Sequence, residues 1–147
     1  MIKVAEMMSQ HPHSLQTSDT LSDAKNLMDI HQIRHVPVVD KDNHLLGLVS
    51  QRDILAAQDS CLEKITLDSR SPLDIELGDV MHRQVMTITP RGGLKEAALF
   101  MQEHKVGCLP VLENNKLVGI ITDTDFVAIA INLLELQEDS EPEKVEE

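Results

Sequence analysis

Aromatic side chains and positive charges are the scarcest components of this 147-residue sequence. It contains no Trp and no Tyr, and Phe100 and Phe126 are its two aromatic residues. Single-stranded nucleic acid is bound by aromatic stacking on a positive surface, whereas the formal net charge here is −12. The acidic tail, residues 137–147, contributes −5 of this charge and the remaining chain −7. Because most of this surface would repel a phosphate backbone, we expect no nucleic-acid partner.

Cysteines and long apolar runs are also scarce. Cys61 and Cys108 form no CxxC pair and cannot establish a disulfide framework, which fits a reducing intracellular setting. No segment approaches the roughly 18 consecutive apolar residues of a membrane span, and the opening MIKVAEMMSQHPH lacks the apolar core of a signal peptide. The sequence therefore predicts a cytoplasmic protein with no membrane partner.

Motifs for catalysis are missing as well. The chain has no P-loop, no GxSxG, no HExxH, and no cysteine with an evident histidine and orienting acid. We therefore predict that it is not an enzyme. His11, His13, His31 and His35 form the histidine clusters, but they have no fixed acid or thiol partner, so we predict no metal site. Cys108 lies in the apolar run CLPVL and is expected to be buried packing rather than a reactive thiol.

One short pattern occurs twice. GLVSQRDIL begins at Gly47, and GIITDTDFV begins at Gly119. Upstream of these motifs the two copies align at an offset of 73, and within them at 72, so a hairpin loop has lost one residue. The expected organisation is a first repeat over residues 1–58, a connector over 59–77, a second repeat over 78–136 and a disordered acidic tail over 137–147. Each repeat reads as strand, helix, strand, strand, helix, which predicts a mixed α/β (α+β) fold.

The repeated hydroxyl and aspartate have two interpretations. Ser50 with Asp53, and Thr122 with Asp125, match the capping box that begins many ordinary helices. The same helix ends carry free N–H groups and a positive dipole end, which favour a phosphate. The aspartate one turn later can accept hydrogen bonds from the two hydroxyls of a ribose. Both interpretations remain open at this point.

Taken together, the blocks IRHVPVVDKDNHLLGLVSQRDIL and VGCLPVLENNKLVGIITDTDFV resemble a tandem pair of CBS domains, or Bateman module. The upstream segments MSQHPHSLQTSDTL and MHRQVMTITPRGGL share the resemblance, which covers about 100 residues. It implies two β-α-β-β-α repeats related by a pseudo-two-fold axis, with clefts that bind AMP, ADP, ATP or S-adenosylmethionine. The layout is similar to small stand-alone bacterial CBS-pair proteins, including those named after acetoin utilisation.

The resemblance also implies which positions contact such a ligand. They comprise Ser50 and Thr122 for phosphate or ribose, Asp53 and Asp125 for ribose hydroxyls, Leu15, Thr17, Ile88 and Pro90 for adenine and sugar, and Val36 and Leu109 for an apolar wall. Arg34, His35 and Arg52 match phosphate-binding positions, whereas the second copy has Gly107, Cys108 and Thr124 there. The alternative for these three basic residues is ordinary solvated surface.

The functional expectation is a regulatory module that binds an adenosyl ligand and responds by a change of shape or partner affinity. The competing hypotheses are a structural dimerisation or adaptor module whose clefts stay empty, and a metal-responsive regulator. The apolar segment from Phe126 to Leu136 has more aliphatic surface than one small core requires, so we expect a homodimer. The sequence names no regulated partner.

Overall fold

A computed structural model describes residues 1–63 and 72–140, and for residues 60–63 it describes the backbone alone. The helices are α1 (Val4–Met7), α2 (Leu21–His31), α3 (Gln51–Glu63), α4 (Leu94–His104) and α5 (Asp123–Ser140). The strands are β1 (Ser9–Gln10), β2 (His35–Val39), β3 (Leu45–Ser50), β4 (Cys108–Glu113) and β5 (Lys116–Thr122), and two 3₁₀ turns cover Pro72–Asp74 and Leu77–Asp79. The predicted mixed α/β fold with two repeats is confirmed.

Each repeat is built around one antiparallel hairpin, β2–β3 in the first and β4–β5 in the second. Asn114 and Asn115 both adopt positive φ, as a two-residue type I′ turn requires. The first hairpin instead closes through the Asp40 N–H to the His44 carbonyl at 3.0 Å, with one more residue in its loop. The one-residue difference between the copies therefore lies in this turn, as the sequence predicted.

The helix before each hairpin packs its predicted apolar face into the core. Helix α2 begins with a capping box in which the Asp23 carboxylate accepts the Thr20 N–H at 2.9 Å. Leu21, Ala24 and Met28 are buried in the first core, and α4 buries its equivalents in the second. Both helices end at a left-handed residue, Gln32 and Lys105, each with φ of 54°. Because α2 stops there, His31 and His35 do not share a helical face.

The opening segments of the two repeats are exchanged, so that each pairs with the hairpin of the other repeat. Strand β1 pairs with β5 of the second repeat through Ser9 and Ile120, while His82 pairs with Leu48 of the first repeat. Val4 is fully buried in the second core and Leu77 in the first. Leu77, the last residue of the predicted connector, is thus a core residue. Val4 and Leu77 are equivalent apolar residues near the beginnings of the two repeats, and each completes the core of the other repeat.

Helix α5 runs four residues further than expected. Residues 137–140 were predicted to belong to the disordered tail, but the helix continues to Ser140, and residues 141–147 lie outside the described part of the chain. None of the helices among residues 1–63 and 72–140 combines the length and apolar character needed to cross a bilayer.

Candidate functional site

Both repeated aspartates form the capping boxes that the sequence allowed. Asp53 accepts the Ser50 N–H at 2.7 Å and Asp125 accepts the Thr122 N–H at 2.9 Å, each through Oδ2. In return, the Ser50 Oγ and Thr122 Oγ1 accept the aspartate N–H groups at 3.3 Å. One oxygen of each carboxylate is therefore used to begin α3 or α5, and one oxygen remains for other partners.

The two remaining oxygens have different surroundings. Asp53 Oδ1 lies 2.7 Å from His82 Nε2. In the part of the chain that the structure describes, Oδ1 of Asp125 has no hydrogen-bond partner. The two aspartates are thus equivalent in sequence but not in the contacts they make.

A cleft of about 410 Å³ opens beside Asp125, and we call it the Asp125 cleft. Its volume falls within the range of small-molecule sites. Three segments supply most of its wall, and both repeats contribute. These segments are residues 9–13, residues 31–35 and residues 122–125, with Pro37 and Ile120 completing the lining.

A second, more polar cleft of about 330 Å³ adjoins the first across Arg34, His35 and Asp123. We call it the axial cleft because it contains equivalent residues of both repeats, such as Arg34 and Gly107. Its lining comprises Arg34, His35, Ser50, Gln51, Arg52, Lys105, Val106, Gly107 and Asp123. Three cations thus surround it against one aspartate, and the first residues of α3 lie at its wall.

The wall between the two clefts holds an ion pair that joins the repeats. Arg34 Nη2 donates to Asp123 Oδ1 at 3.0 Å, with the Thr124 hydroxyl at 3.4 Å. A β-carbon at Gly107 would stand 3.3 Å from Asp123 Oδ2 and 3.5 Å from the His35 ring. The glycine that replaces Arg34 in the second repeat therefore leaves room for this pair.

Two groups near this wall are neutral at physiological pH. Burial lowers the pKa of His35 below its usual 6.5, against an opposing contribution from Asp123. Burial also raises the pKa of the Cys108 thiol to about 12, with Asp123 and Asp125 adding to the effect. His35 is therefore a neutral donor or acceptor, and Cys108 is inert packing, as the sequence suggested.

The structure brings together seven of the predicted contact residues and leaves six outside. Around the two clefts lie Ser50, Thr122, Asp125, Arg34, His35 and Arg52, with Asp53 at the beginning of α3 beside them. The lining of neither cleft includes Leu15, Thr17, Ile88, Pro90, Val36 or Leu109.

These six positions make other contacts in the structure. Leu15 and Ile88 each bridge a strand in parallel and direct their side chains into the cores, and Val36 and Leu109 are fully buried. The carbonyls of Thr17 and Pro90 accept the N–H groups of Gly78 and Ala5, at 3.0 Å in each case. We therefore omit all six from the ligand contacts proposed below.

Two parts of the site went unrecognised in the sequence. Residues 9–13 line the Asp125 cleft, although their stretch was noted as part of the repeat. Lys105 lines the axial cleft from the end of α4. An alignment of the repeats pairs Lys105 with Gln32. This further charge difference between the copies could have indicated Lys105 as a cleft residue.

Four histidines, His11, His13, His31 and His35, line the Asp125 cleft. The rings of His13 and His31 are stacked with centroids 3.6 Å apart, which leaves their nitrogens poorly directed for sharing one metal ion. In the described ranges, one group has ligand atoms close enough for a metal, namely Asp40, Asp42 and His44. Asp40 already uses both oxygens on N–H groups and the His44 ring, so this turn satisfies itself.

The duplicated units, with two clefts built from both copies, define the class as a paired-repeat module. The model of the CBS domain matches residues 4–60 and 77–132. The chain belongs to the CBS-domain family, in which it is a tandem pair.

Three relatives illustrate the match. A Vibrio cholerae protein named for acetoin utilization (AcuB) is 56% identical, with a TM-score of 0.81 over 97% of this chain and 99% of that chain. CBSX2, which has a crystal structure in complex with AMP, is 27% identical in sequence. Its TM-score is 0.76 over 91% of this chain and 99% of that chain. A CBS domain-containing protein of Dictyostelium discoideum is 31% identical over 91% of this chain and 94% of its own. The predicted similarity to the acetoin-utilisation type is confirmed.

Other relatives are longer enzymes. Inosine-5′-monophosphate dehydrogenase of Staphylococcus epidermidis is 31% identical over 119 residues, and the match spans 22% of that enzyme. Homoserine O-acetyltransferase of Methanocorpusculum labreanum is 30% identical over 120 residues, again 22% of its length. The activities of these enzymes therefore say nothing about this chain.

Proposed function

We propose that this protein is a regulatory module that binds an adenine nucleotide, with the nucleoside in the Asp125 cleft and the phosphate directed into the axial cleft. The observation that carries the proposal is the free Oδ1 of Asp125 beside a cleft formed by both repeats. A relative that is solved in complex with AMP supports this ligand class.

The two clefts divide the recognition of such a ligand between them. A carboxylate oxygen is an acceptor that suits the donating hydroxyls of a ribose. A phosphate needs cations or N–H donors to replace its lost hydration, and Arg34, Arg52 and Lys105 surround the axial cleft at the beginning of α3. This charge favours a phosphorylated ligand over S-adenosylmethionine, which carries a sulfonium cation.

The ion pair between the clefts links binding to a response. A phosphate in the axial cleft competes with Asp123 for Arg34, whose guanidinium is half exposed. Exposed ion pairs contribute only about 0–1 kcal/mol, so replacing Asp123 by the phosphate as the partner of Arg34 has a small free-energy cost. Because Arg34 and Asp123 belong to different repeats, separating them changes how the repeats contact one another. The ligand shifts the equilibrium between the paired and separated arrangements by the difference in its affinity for the two.

Calorimetric titration with AMP, ADP, ATP and S-adenosylmethionine tests the proposal. We expect saturable heat with the phosphorylated ligands, and a loss of about 10- to 150-fold in affinity for Asp125→Asn, because hydrogen bonds to a charged acceptor are lost. Asp42→Asn, in the exposed first hairpin turn, is the matched control and should bind normally. Equal melting temperatures would show that the Asp125 variant remains folded.

The adaptor hypothesis has one observation in its favour, since both aspartates do cap helices. It predicts no heat with any of the four ligands. In that case the repeated hydroxyl and aspartate act only in beginning α3 and α5, and the proposed sensing function is wrong.

We propose further that the chain forms a homodimer through α5. This 18-residue helix contains no buried residue, and Val127, Ile131 and Leu134 are 58%, 50% and 58% exposed. Their spacing places them on one helical face. Sedimentation should give a dimer for the unaltered protein and a monomer for Ile131→Glu, with the exposed Ile30→Glu on α2 as the control that stays dimeric.

A further inference from the structure

The two halves of this protein differ at the oxygen that would hold a ribose. Asp53 Oδ1 accepts the His82 Nε2–H at 2.7 Å, and the Asp53 side chain is only 16% exposed. The residue that aligns with His82 in the first repeat is Ser9, at the offset of 73 that relates the opening segments. Ser9 lines the open Asp125 cleft and makes no side-chain hydrogen bond to Asp125 within the described ranges.

The backbone holds both residues in the same relation to their aspartates. His82 exchanges two hydrogen bonds with Leu48, at 2.9 and 3.0 Å, and Ser9 pairs with Ile120, which aligns with Leu48. Each residue therefore pairs with the strand that leads into its capping box, His82 with β3 and Ser9 with β5. The difference between the two positions is the side chain itself, because imidazole reaches the carboxylate and a hydroxymethyl group does not.

We propose that His82 occupies the sugar-binding oxygen of Asp53, so that the protein binds one adenosyl ligand per chain, beside Asp125. This inference rests on the proposed function and specifies which half performs it. His82 acts as an internal competitor at the Asp53 side. A ribose arriving there must displace a hydrogen bond to a charged acceptor, whereas at Asp125 it meets a free oxygen.

The competition sets the size of the expected effect. A hydrogen bond to a charged group corresponds to a factor of about 10 or more in affinity. We use the lower end because the His82 side chain is 67% exposed. His82→Ser should therefore tighten binding at the Asp53 side by about 10-fold and reveal a second ligand per chain.

Titration calorimetry with AMP, with stoichiometry as the readout, tests this inference on the full chain. We expect one ligand per chain for the unaltered protein and two for His82→Ser. The new site should disappear in His82→Ser/Asp53→Ala, whereas Asp42→Asn, in the exposed first hairpin turn, should leave the first site unchanged. The reciprocal Ser9→His should weaken binding beside Asp125 by about 10-fold. Melting curves establish that each variant is folded, since loss of a helix cap alone lowers stability without changing stoichiometry.

The outcomes separate this inference from the function on which it rests. Two equivalent ligands in the unaltered protein, or a single ligand in His82→Ser, would overturn the assignment of His82 and leave nucleotide binding intact. Binding that Asp53→Ala abolishes in the unaltered protein would place the ligand on the opposite side and also overturn it. No binding in any variant would refute the proposed function and this inference with it.

Discussion

The repeated glycines supply a stringent test of how the two repeats pack together. Gly47 and Gly119 lie where the opening segment of the other repeat crosses the hairpin. A β-carbon at Gly47 would stand 2.6 Å from Met81 Sδ and 2.8 Å from the His82 carbonyl oxygen. At Gly119 all three nearest atoms belong to the Met8 side chain, with Cγ at 3.0 Å and Cε at 3.1 Å. The two alanine substitutions therefore meet different obstacles.

The expected costs follow from those obstacles. Neither glycine has a positive φ, so alanine fits the backbone and stabilises the protein by about 0.4–1 kcal/mol through the unfolded chain. Overpacking typically costs about 1–3 kcal/mol. The upper end applies at Gly47, because the His82 carbonyl must move although it accepts the Leu48 N–H at 2.9 Å. A methionine is flexible, so the lower end applies at Gly119. Gly47→Ala should lose about 2 kcal/mol and Gly119→Ala between about 0 and 1 kcal/mol.

Urea denaturation and thermal melting measure both variants against the unaltered protein. A loss of 2 kcal/mol corresponds to about 4–8 °C in Tm for a domain near this size, whereas Gly119→Ala should lie within about 4 °C of the unaltered protein. Equal losses in the two variants would refute the reasoning, because they would show that the His82 carbonyl offers no more resistance than the Met8 side chain.

Three further predictions concern buried groups. Leu77→Ala should destabilise the protein by about 2–5 kcal/mol in urea denaturation, since Leu77 is fully buried, whereas the half-exposed Leu99→Ala should have little effect. Because the Cys108 thiol has a pKa of about 12 when folded and 9.0 when unfolded, the unfolded chain loses its proton first, and stability should fall by about 1.4 kcal/mol per unit as the pH rises above 9. Cys108→Ala should remove that slope, and an unchanged slope would contradict the burial of the thiol. Burial lowers the pKa of His35 below 6.5, so the unfolded chain gains a proton first and stability should fall as the pH drops below 6.5. His35→Gln should flatten that part of the curve, and a stability profile identical to that of the unaltered protein would show that His35 is not the responsible group.

Much of the fold was predictable because the signals were local and present twice. The helix faces, the hairpins and the beginnings of α3 and α5 follow from apolar spacing, turn residues and capping boxes, which involve residues close in the sequence. The exchange of opening segments did not follow, because the buried Val4 and Leu77 give no local sign of which core receives them. The end of α5 was also placed too early, since the acidic composition of residues 137–140 resembled a tail while remaining compatible with helix.

The candidate site was predictable in its chemistry and less so in its geometry. Each aspartate fits both a helix cap and a ligand contact, and the structure shows that one carboxylate makes the cap with a single oxygen and leaves the other available. Leu15 and Ile88, which the resemblance assigned to adenine and sugar, line neither of the two clefts, because parallel pairing with β2 and β4 directs their side chains toward the cores. Residues 9–13, just before Leu15, line the Asp125 cleft instead.

The exchange of segments bears directly on how such a module could report its ligand. The Asp125 cleft is lined by Ser9 and Arg34 from the first repeat and by Thr122 and Asp125 from the second, so a ligand there contacts both copies at once. A duplicated fold would give two equal sites. His82 stands where the opening segment of the other repeat has Ser9, and this difference makes the carboxylates of Asp53 and Asp125 unequal. Asymmetry of this kind needs no change of fold, because the crossing strand is fixed by backbone hydrogen bonds and its side chain remains free to vary. If that is the origin of the difference, exchanging Ser9 and His82 should move the open site from Asp125 to Asp53, and the sensitivity of AMP affinity to Asp53→Ala and Asp125→Asn should be reversed in the exchanged protein.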